Sequence, residues 1–217
     1  MTMQRAVFAM ILGIAIILGV GLWYLQGAQK PTASTNDPAS GAHVVYGSAD
    51  APVTIVEFSN YLCPHCKHHA ELSLPLIFKN YVNTGKVRYI FRDLPFPNQL
   101  NVELAAQAAD CAFEQGKYLE YHEVLFRAGE QWGRVALDKL PQYFDDYASQ
   151  LGLDVGRFGR CLAEGKTKPW VEADKALAEK LNVNGTPSFF VNGKFIEGFR
   201  TFEEWEEIIN NAIKNSP

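Results

Sequence analysis

The sequence predicts an α/β fold interrupted by a helical block and preceded by a transmembrane helix. β-Branched and aromatic runs at Val53 to Phe58 and Lys86 to Asp93 flank a helical pattern. No strand signal appears between Asn101 and Leu181, and strand signals then resume at Ser188 to Val191 and Lys194 to Ile196. Ahead of all these stand 20 residues without a charge, Ala6 to Leu25, about the length a membrane-spanning helix needs.

The uncharged run follows Arg5 and ends in Trp23-Tyr24, a pair suited to the membrane interface. A signal-peptide core is usually about 7 to 15 residues, and Gln26-Gly27-Ala28 is a poor cleavage site. Residues 1–28 therefore read as an uncleaved anchor, with a cleaved signal as the alternative. Arg5 and the amino terminus, set against Lys30, lean toward a cytoplasmic N-terminus. Under either reading the cysteines lie outside the cytoplasm. Residues 29–42, rich in Pro, Thr, Ser, Ala and Asn, read as a flexible linker.

Val44 to Tyr46 and Val53 to Phe58 are predicted strands separated by a turn at Gly47 to Pro52. The next helix runs from Cys63 toward Val82, kinked by Pro75, and stops at Asn83-Thr84-Gly85. Lys86 to Asp93 closes a β-α-β unit, which requires a right-handed crossover. These elements define a first part, residues 43–100, of the α/β domain. Residues 101–181 form the inserted helical domain, with polar turns around Gly116, Gly129, Gly152 and Gly165. Residues 182–217 complete the α/β domain. They carry a hairpin across Asn192-Gly193, then a helix with a Thr201/Glu204 capping box and an apolar stripe through Phe202, Trp205, Ile208, Ile209, Ala212 and Ile213.

A chain of 217 residues with 47% apolar content holds one well-buried core and a smaller lobe. A net charge of −4 argues against nucleic acid as a partner. Four cysteines suit two bridges in an oxidising compartment. Cys111 and Cys161, on separate predicted helices, read as a structural disulfide or as two small buried side chains. As a bridge they would close a loop worth about 4 kcal/mol.

Cys63-Pro64-His65-Cys66 carries the chemistry. Thiols three residues apart in a first helical turn have Cα atoms about 5 Å apart, within reach of a disulfide. Cys63 at the N-terminal edge meets unpaired backbone N–H groups and the positive end of the helix dipole, whereas Cys66 lies one turn inside. Cys63 is thus the attacking thiolate and Cys66 the resolving thiol. Pro64 suits the first helical position, and a protonated His65 would add positive charge beside the sulfur. Were the Cys63 pKa near about 4, the disulfide would be on the order of 90 mV more oxidising. The other chemistry open to this cluster is metal binding by Cys63, Cys66 and His68 or His69, although a second ligand pair is not evident. His68 and His69 read as exposed. Glu57 is a carboxylate in an otherwise apolar strand, either functional or edge-facing. Trp132, Trp170, His43 and His122 read as packing or surface residues.

Val56-Glu57-Phe58 leading into Cys-Pro-His-Cys, then Gly185-Thr186-Pro187-Ser188-Phe189-Phe190-Val191-Asn192-Gly193 about 120 residues later, resembles the DsbA-like thiol:disulfide oxidoreductases of the thioredoxin superfamily, in particular membrane-anchored bacterial members. The likeness covers residues 43–217 and implies a thioredoxin-like fold with an inserted helical domain. It implies a cis Pro187 facing the cysteine pair and a Thr186 backbone able to pair with a substrate peptide. It also implies that Glu57 sits beneath the cysteines and takes the proton of Cys66 through water, with a raised pKa. Phe96, Pro97 and the Thr186-Pro187 loop are expected to border an apolar substrate groove. Implied partners are unfolded proteins bearing thiols and a membrane quinone reductase of the DsbB or vitamin K epoxide reductase type. The implied protein is a monomer in the bacterial cell membrane, its catalytic domain extracytoplasmic, with no cofactor or metal. Thr186 departs from the Val common before that proline in DsbA-type oxidants, which leaves an isomerase or a reductant as alternatives. A copper-delivery or other metal-binding module is the alternative from a different class.

Overall fold

The computed structural model describes residues 36–216. The candidate anchor at 1–28 lies outside the described residues, among which no helix is long and apolar enough to cross a membrane. Five strands, β1 (Val45–Tyr46), β2 (Val53–Ser59), β3 (Val87–Asp93), β4 (Ser188–Val191) and β5 (Lys194–Glu197), form one sheet in the order β1-β3-β2-β4-β5. β2 and β3 run parallel and the other neighbours antiparallel. β2 is central, which is why six of its seven residues are buried, Glu57 and Ser59 among them.

The pleat sorts these side chains onto two faces. Val53, Ile55, Val87, Tyr89, Phe91 and Phe189 face the larger core cluster, and Glu57 shares their side of β2. Val56, Phe58, Ile90 and Phe190 face a smaller cluster. The first face is covered by α1, a helical run over residues 64–82, and by α8 (Phe202–Lys214), whose Trp205 and Ile209 are fully buried. The predicted capping box is present: Glu204 N–H donates to Thr201 Oγ1, and Thr201 N–H donates to Glu204 Oε2 at 2.8 Å. Asn192 and Gly193 take φ of 47° and 79°, the left-handed pair that a two-residue hairpin matching the sheet twist requires.

Helix α1 differs from the single kinked α-helix expected. Its turns alternate between α (Pro64–His68), π (His69–Ser73), α (Leu74–Ile77) and π (Phe78–Val82). Pro75 lacks the N–H for an α-helical bond, and the wide turns on either side absorb that loss.

The segment between β3 and β4 contains α2 (Leu100–Phe113), α3 (Tyr118–Arg127), α4 (Gly129–Trp132), α5 (Leu140–Gln150), α6 (Val155–Ala163) and α7 (Lys168–Lys180). Turns at Gly116, Gly152 and Gly165 fall where expected, whereas Gly129 opens the short α4. Helix α7 returns to the sheet's second face, where Ala178 joins the smaller cluster. There Asp174 Oδ1 accepts from Arg92 at 2.7 Å and Oδ2 accepts from the Asp93 N–H at 3.0 Å. Arg92 also donates to the carbonyls of Pro38, Ser40 and Gly41. The end of the expected linker is therefore docked, because a buried guanidinium needs acceptors on all sides. His43 is likewise engaged, 3.2 Å from Asp110 and stacked on Trp170.

Candidate active site

Strand β2 delivers the chain to the base of α1 through Asn60-Tyr61-Leu62. Asn60 is buried and braces the turn: its Nδ2 donates to the Leu94 carbonyl and Gln99 Oε1, while its Oδ1 accepts from the Leu62 N–H. Sequence reasoning passed over it, although an Asn directly after a strand is a turn-former of this kind. Cys63 then occupies the N-cap of α1 with extended backbone, and Pro64 takes the first helical position.

The two thiols, unbonded to each other here, have opposite surroundings. Cys63 is half-buried; its Sγ lies 3.2 Å from the carbonyl oxygen of Thr186, the residue joined to Pro187 by a cis peptide bond. Its pKa falls from 9.0 to about 5. The largest cause is a hydrogen bond from the Cys66 thiol, followed in the same direction by the Thr186 side chain and the backbone N–H groups of Cys66 and His65, against a desolvation penalty. His65 thus acts on the sulfur through its backbone; its ring is exposed, 6.3 Å from that of His68. Cys66 is fully buried, and burial, reinforced by Cys63, pushes its thiol well above the usual range.

Glu57 lies on the central strand and is fully buried, so the edge-facing reading does not hold. Its Oε2 accepts from the Tyr89 hydroxyl at 2.7 Å, and the Tyr89 oxygen in turn lies 2.9 Å from His69 Nε2, which is 3.8 Å from Oε2 itself. Burial raises the Glu57 pKa from 4.5 to about 7, with Cys63 pushing the same way and Tyr89 and Ser59 partly offsetting. The expectation of an exposed His69 is wrong: its ring is fully buried, whereas His68 is exposed. His69 follows Cys66 by three residues, so it shares the face that Cys66 turns inward. Among the described residues no three His, Cys, Asp or Glu side chains are grouped to hold a metal ion.

A cavity of about 320 Å³ opens beside Cys63, with Tyr61, Leu62 and Phe126 as its apolar lining and Lys67, Glu130 and Arg134 among its polar residues. The groove expected around Phe96 and Pro97 is not this one. Those residues line a separate depression with Lys175 and Val183, because the Leu94 to Pro97 turn packs toward α7. Cys111 and Cys161 are joined in a disulfide with Cα atoms 5.9 Å apart, tying α2 to α6.

This combination, a helix-capping cysteine with a cis-proline loop against it, is that of a thioredoxin-type redox site. The family model for Thioredoxin matches residues 39–211, and the chain belongs to that family. The chain is 29% identical to Disulfide bond formation protein D of Bacillus subtilis over 86% of its own length and 84% of that protein's. It is 32% identical to the Na(+)/H(+) antiporter NhaA 3 of Salinispora tropica over 79% of its own length, but it spans only about a quarter, 25%, of that protein. Among solved structures, oxidised BdbD from Bacillus subtilis superposes with a TM-score of 0.68 at 30% identity, covering 79% of this chain and 92% of that one. Wolbachia pipientis alpha-DsbA1 gives 0.70 at 25% identity, covering 78% and 90%.

Proposed function

We propose that the protein is a thiol:disulfide oxidoreductase that donates a Cys63–Cys66 disulfide to extracytoplasmic proteins. A substrate thiolate attacks Cys63 Sγ, the Cys63–Cys66 bond breaks, and its electron pair goes to Cys66, which takes a proton held by Glu57. A second substrate thiolate then attacks the substrate sulfur of the mixed disulfide and releases Cys63 as a thiolate. Two substrate thiols become a disulfide, and the enzyme is left reduced. Pro64 and His65 frame the turn whose N–H groups hold the Cys63 charge, while Thr186 and Pro187 receive the substrate backbone.

The observation that carries this reading is the asymmetry of the pair: Cys63 is partly exposed at the helix N-terminus, where the Cys66 thiol and backbone N–H groups face it, and Cys66 is buried one turn inside. A stabilised thiolate favours the reduced enzyme and so makes the disulfide a better donor. Two pH units of that stabilisation below pH 7 correspond to roughly 60 mV. This is an upper bound, since water screens a half-buried sulfur.

The Cys111–Cys161 bridge is structural. Residues 1–28 serve as the membrane anchor, which raises the local concentration of a quinone reductase of the DsbB or vitamin K epoxide reductase type that reoxidises the enzyme. The catalytic domain works as a monomer outside the cytoplasm. The test is oxidation of a reduced two-cysteine peptide by the purified disulfide form, together with its reduction potential. Transfer with a potential well above that of thioredoxin, about −270 mV, supports the donor role. A value near thioredoxin's would make the protein a reductant, and a metal bound by the purified cysteines would overturn the assignment.

A further inference from the structure

Behind the cysteine pair lies a buried hydrogen-bond chain of which the redox step above uses only the last member, Glu57. Tyr89, from β3, stands diagonally across from Glu57 on the same sheet face, and His69 comes down onto it from the π turn of α1. All three side chains are fully buried. A hydroxyl has one proton to give, and Tyr89 donates it to Glu57 Oε2 at 2.7 Å. The contact of 2.9 Å between His69 Nε2 and the Tyr89 oxygen must then be a donation from His69. His69 Nδ1 has no hydrogen-bond partner, so nothing supports the opposite tautomer, which would bury an N–H with no acceptor. The chain therefore runs one way, from His69 to Tyr89 to Glu57. Glu57 Oε1, by contrast, has no partner of good hydrogen-bond geometry.

We propose that His69 and Tyr89 are positioning residues that commit Glu57 Oε2 as a permanent acceptor, so that the Cys66 proton is exchanged at Oε1 alone. This rests on the proton role given to Glu57 above. Ser59, next on the same strand face, neighbours both the Glu57 carboxyl and the Cys66 thiol. When Cys66 attacks Cys63 Sγ in a mixed disulfide, the Cys66 S–H bond breaks, its proton goes to Oε1, and the new S–S bond expels the substrate thiolate.

Other titratable groups face this site. Cys63 and Tyr61 stand at its mouth, Asp93 lies on β3, and His122 of α3 lies beyond His69. Strand β4 and helix α8 bring only Phe189 and Trp205, with ring centroids 4.8 and 5.7 Å from that of His69. Burial holds His69 near a pKa of about 3, so it is a neutral donor across the working range.

The test is the pH dependence with which Cys66 expels 2-nitro-5-thiobenzoate from a Cys63 adduct, alongside the Glu57 carboxyl carbon shift in the reduced enzyme. Tyr89→Phe, nearly isosteric, should move both midpoints upward from about 7 by one pH unit or more. His69→Phe should move them less in the same direction, and His69→Gln, which retains an N–H donor, should restore them. The Cys63 thiolate absorbance midpoint should stay near 5 throughout. Unmoved midpoints in Tyr89→Phe, failure of His69→Gln to rescue, or an equal movement of Cys63 would overturn the proposal. Glu57→Gln separates the two layers: if it leaves the expulsion profile unchanged, the proton role of Glu57 itself falls; if it alters the profile while Tyr89→Phe does not, only the chain falls.

Discussion

The two cysteine pairs of this chain are made of the same atoms and stand in opposite circumstances. Cys111 and Cys161 sit in the last turns of α2 and α6, both buried and already bonded to each other, with the Thr167 hydroxyl 3.7 Å from Cys111. Cys63 and Cys66 share one helical turn, one sulfur at the open N-terminus and the other inside. Reactivity thus follows from where the backbone leaves unpaired N–H groups and from unequal burial.

The comparison breaks most visibly if the pairs exchange roles under mutation. Cys63→Ser should lower disulfide transfer by on the order of a thousandfold or more, measured with a reduced peptide. Cys66→Ser should instead accumulate mixed disulfides at Cys63, read by intact mass. Replacing Cys111 and Cys161 by Ala should leave the Cys63–Cys66 potential in place but cost about 4 kcal/mol of stability for a separation of 50 residues, read by urea unfolding.

A smaller effect sharpens the electrostatic half of the contrast. Glu57 has a folded pKa of about 7 against an ordinary 4.5, so the folded reduced enzyme binds more protons than the unfolded chain between those values. Stability of the reduced enzyme from this group is therefore lost as pH rises through that window, by roughly 3 kcal/mol. Cys63 works oppositely: its folded pKa of about 5 lies below 9.0, so its contribution grows from pH 5 toward 9. Glu57→Gln removes the first trend and leaves the second, so its stability relative to the parent should climb between pH 4 and 8. A flat difference would place the carboxylate outside the influence of the site. The smallest effect is expected from Gly133→Ala. A Cβ there would meet the Gly129 carbonyl at 2.6 Å and Leu62 at 2.8 Å, which should cost about 1 kcal/mol and narrow the cavity beside Cys63. The readout is a raised KM for peptide substrates.

Much of the fold is legible in local sequence because its signals are local. Asn192-Gly193, Thr201 with Glu204, and the β-branched runs of β2 and β3 each specify their element within a few residues. The cysteine pair is legible for the same reason. Hidden from such reading are features that join distant parts of the chain. Arg92 meets Asp174 across 82 residues and the carbonyls of the docked segment before β1, and nothing around Arg92 announces either partner. Tyr89 looks like ordinary strand material until Glu57 is placed diagonally across from it. His69, polar by type, reads as exposed, although its spacing of three from Cys66 puts it on the inward face.

The unequal exposure of the paired sulfurs also decides how such a protein ages. Peroxide attacks thiolates it can reach, and only one of the two here is both ionised and open to solvent. Peroxide turns the Cys63 thiolate into a sulfenic acid, with which the Cys66 thiol condenses to give the Cys63–Cys66 disulfide and water. Irreversible oxidation should therefore fall on Cys63 and become prominent only when Cys66→Ser removes the resolving thiol, a difference that peptide mapping after peroxide treatment can count. Equal over-oxidation of Cys63 in the parent and in Cys66→Ser would mean that the buried sulfur does not protect its neighbour.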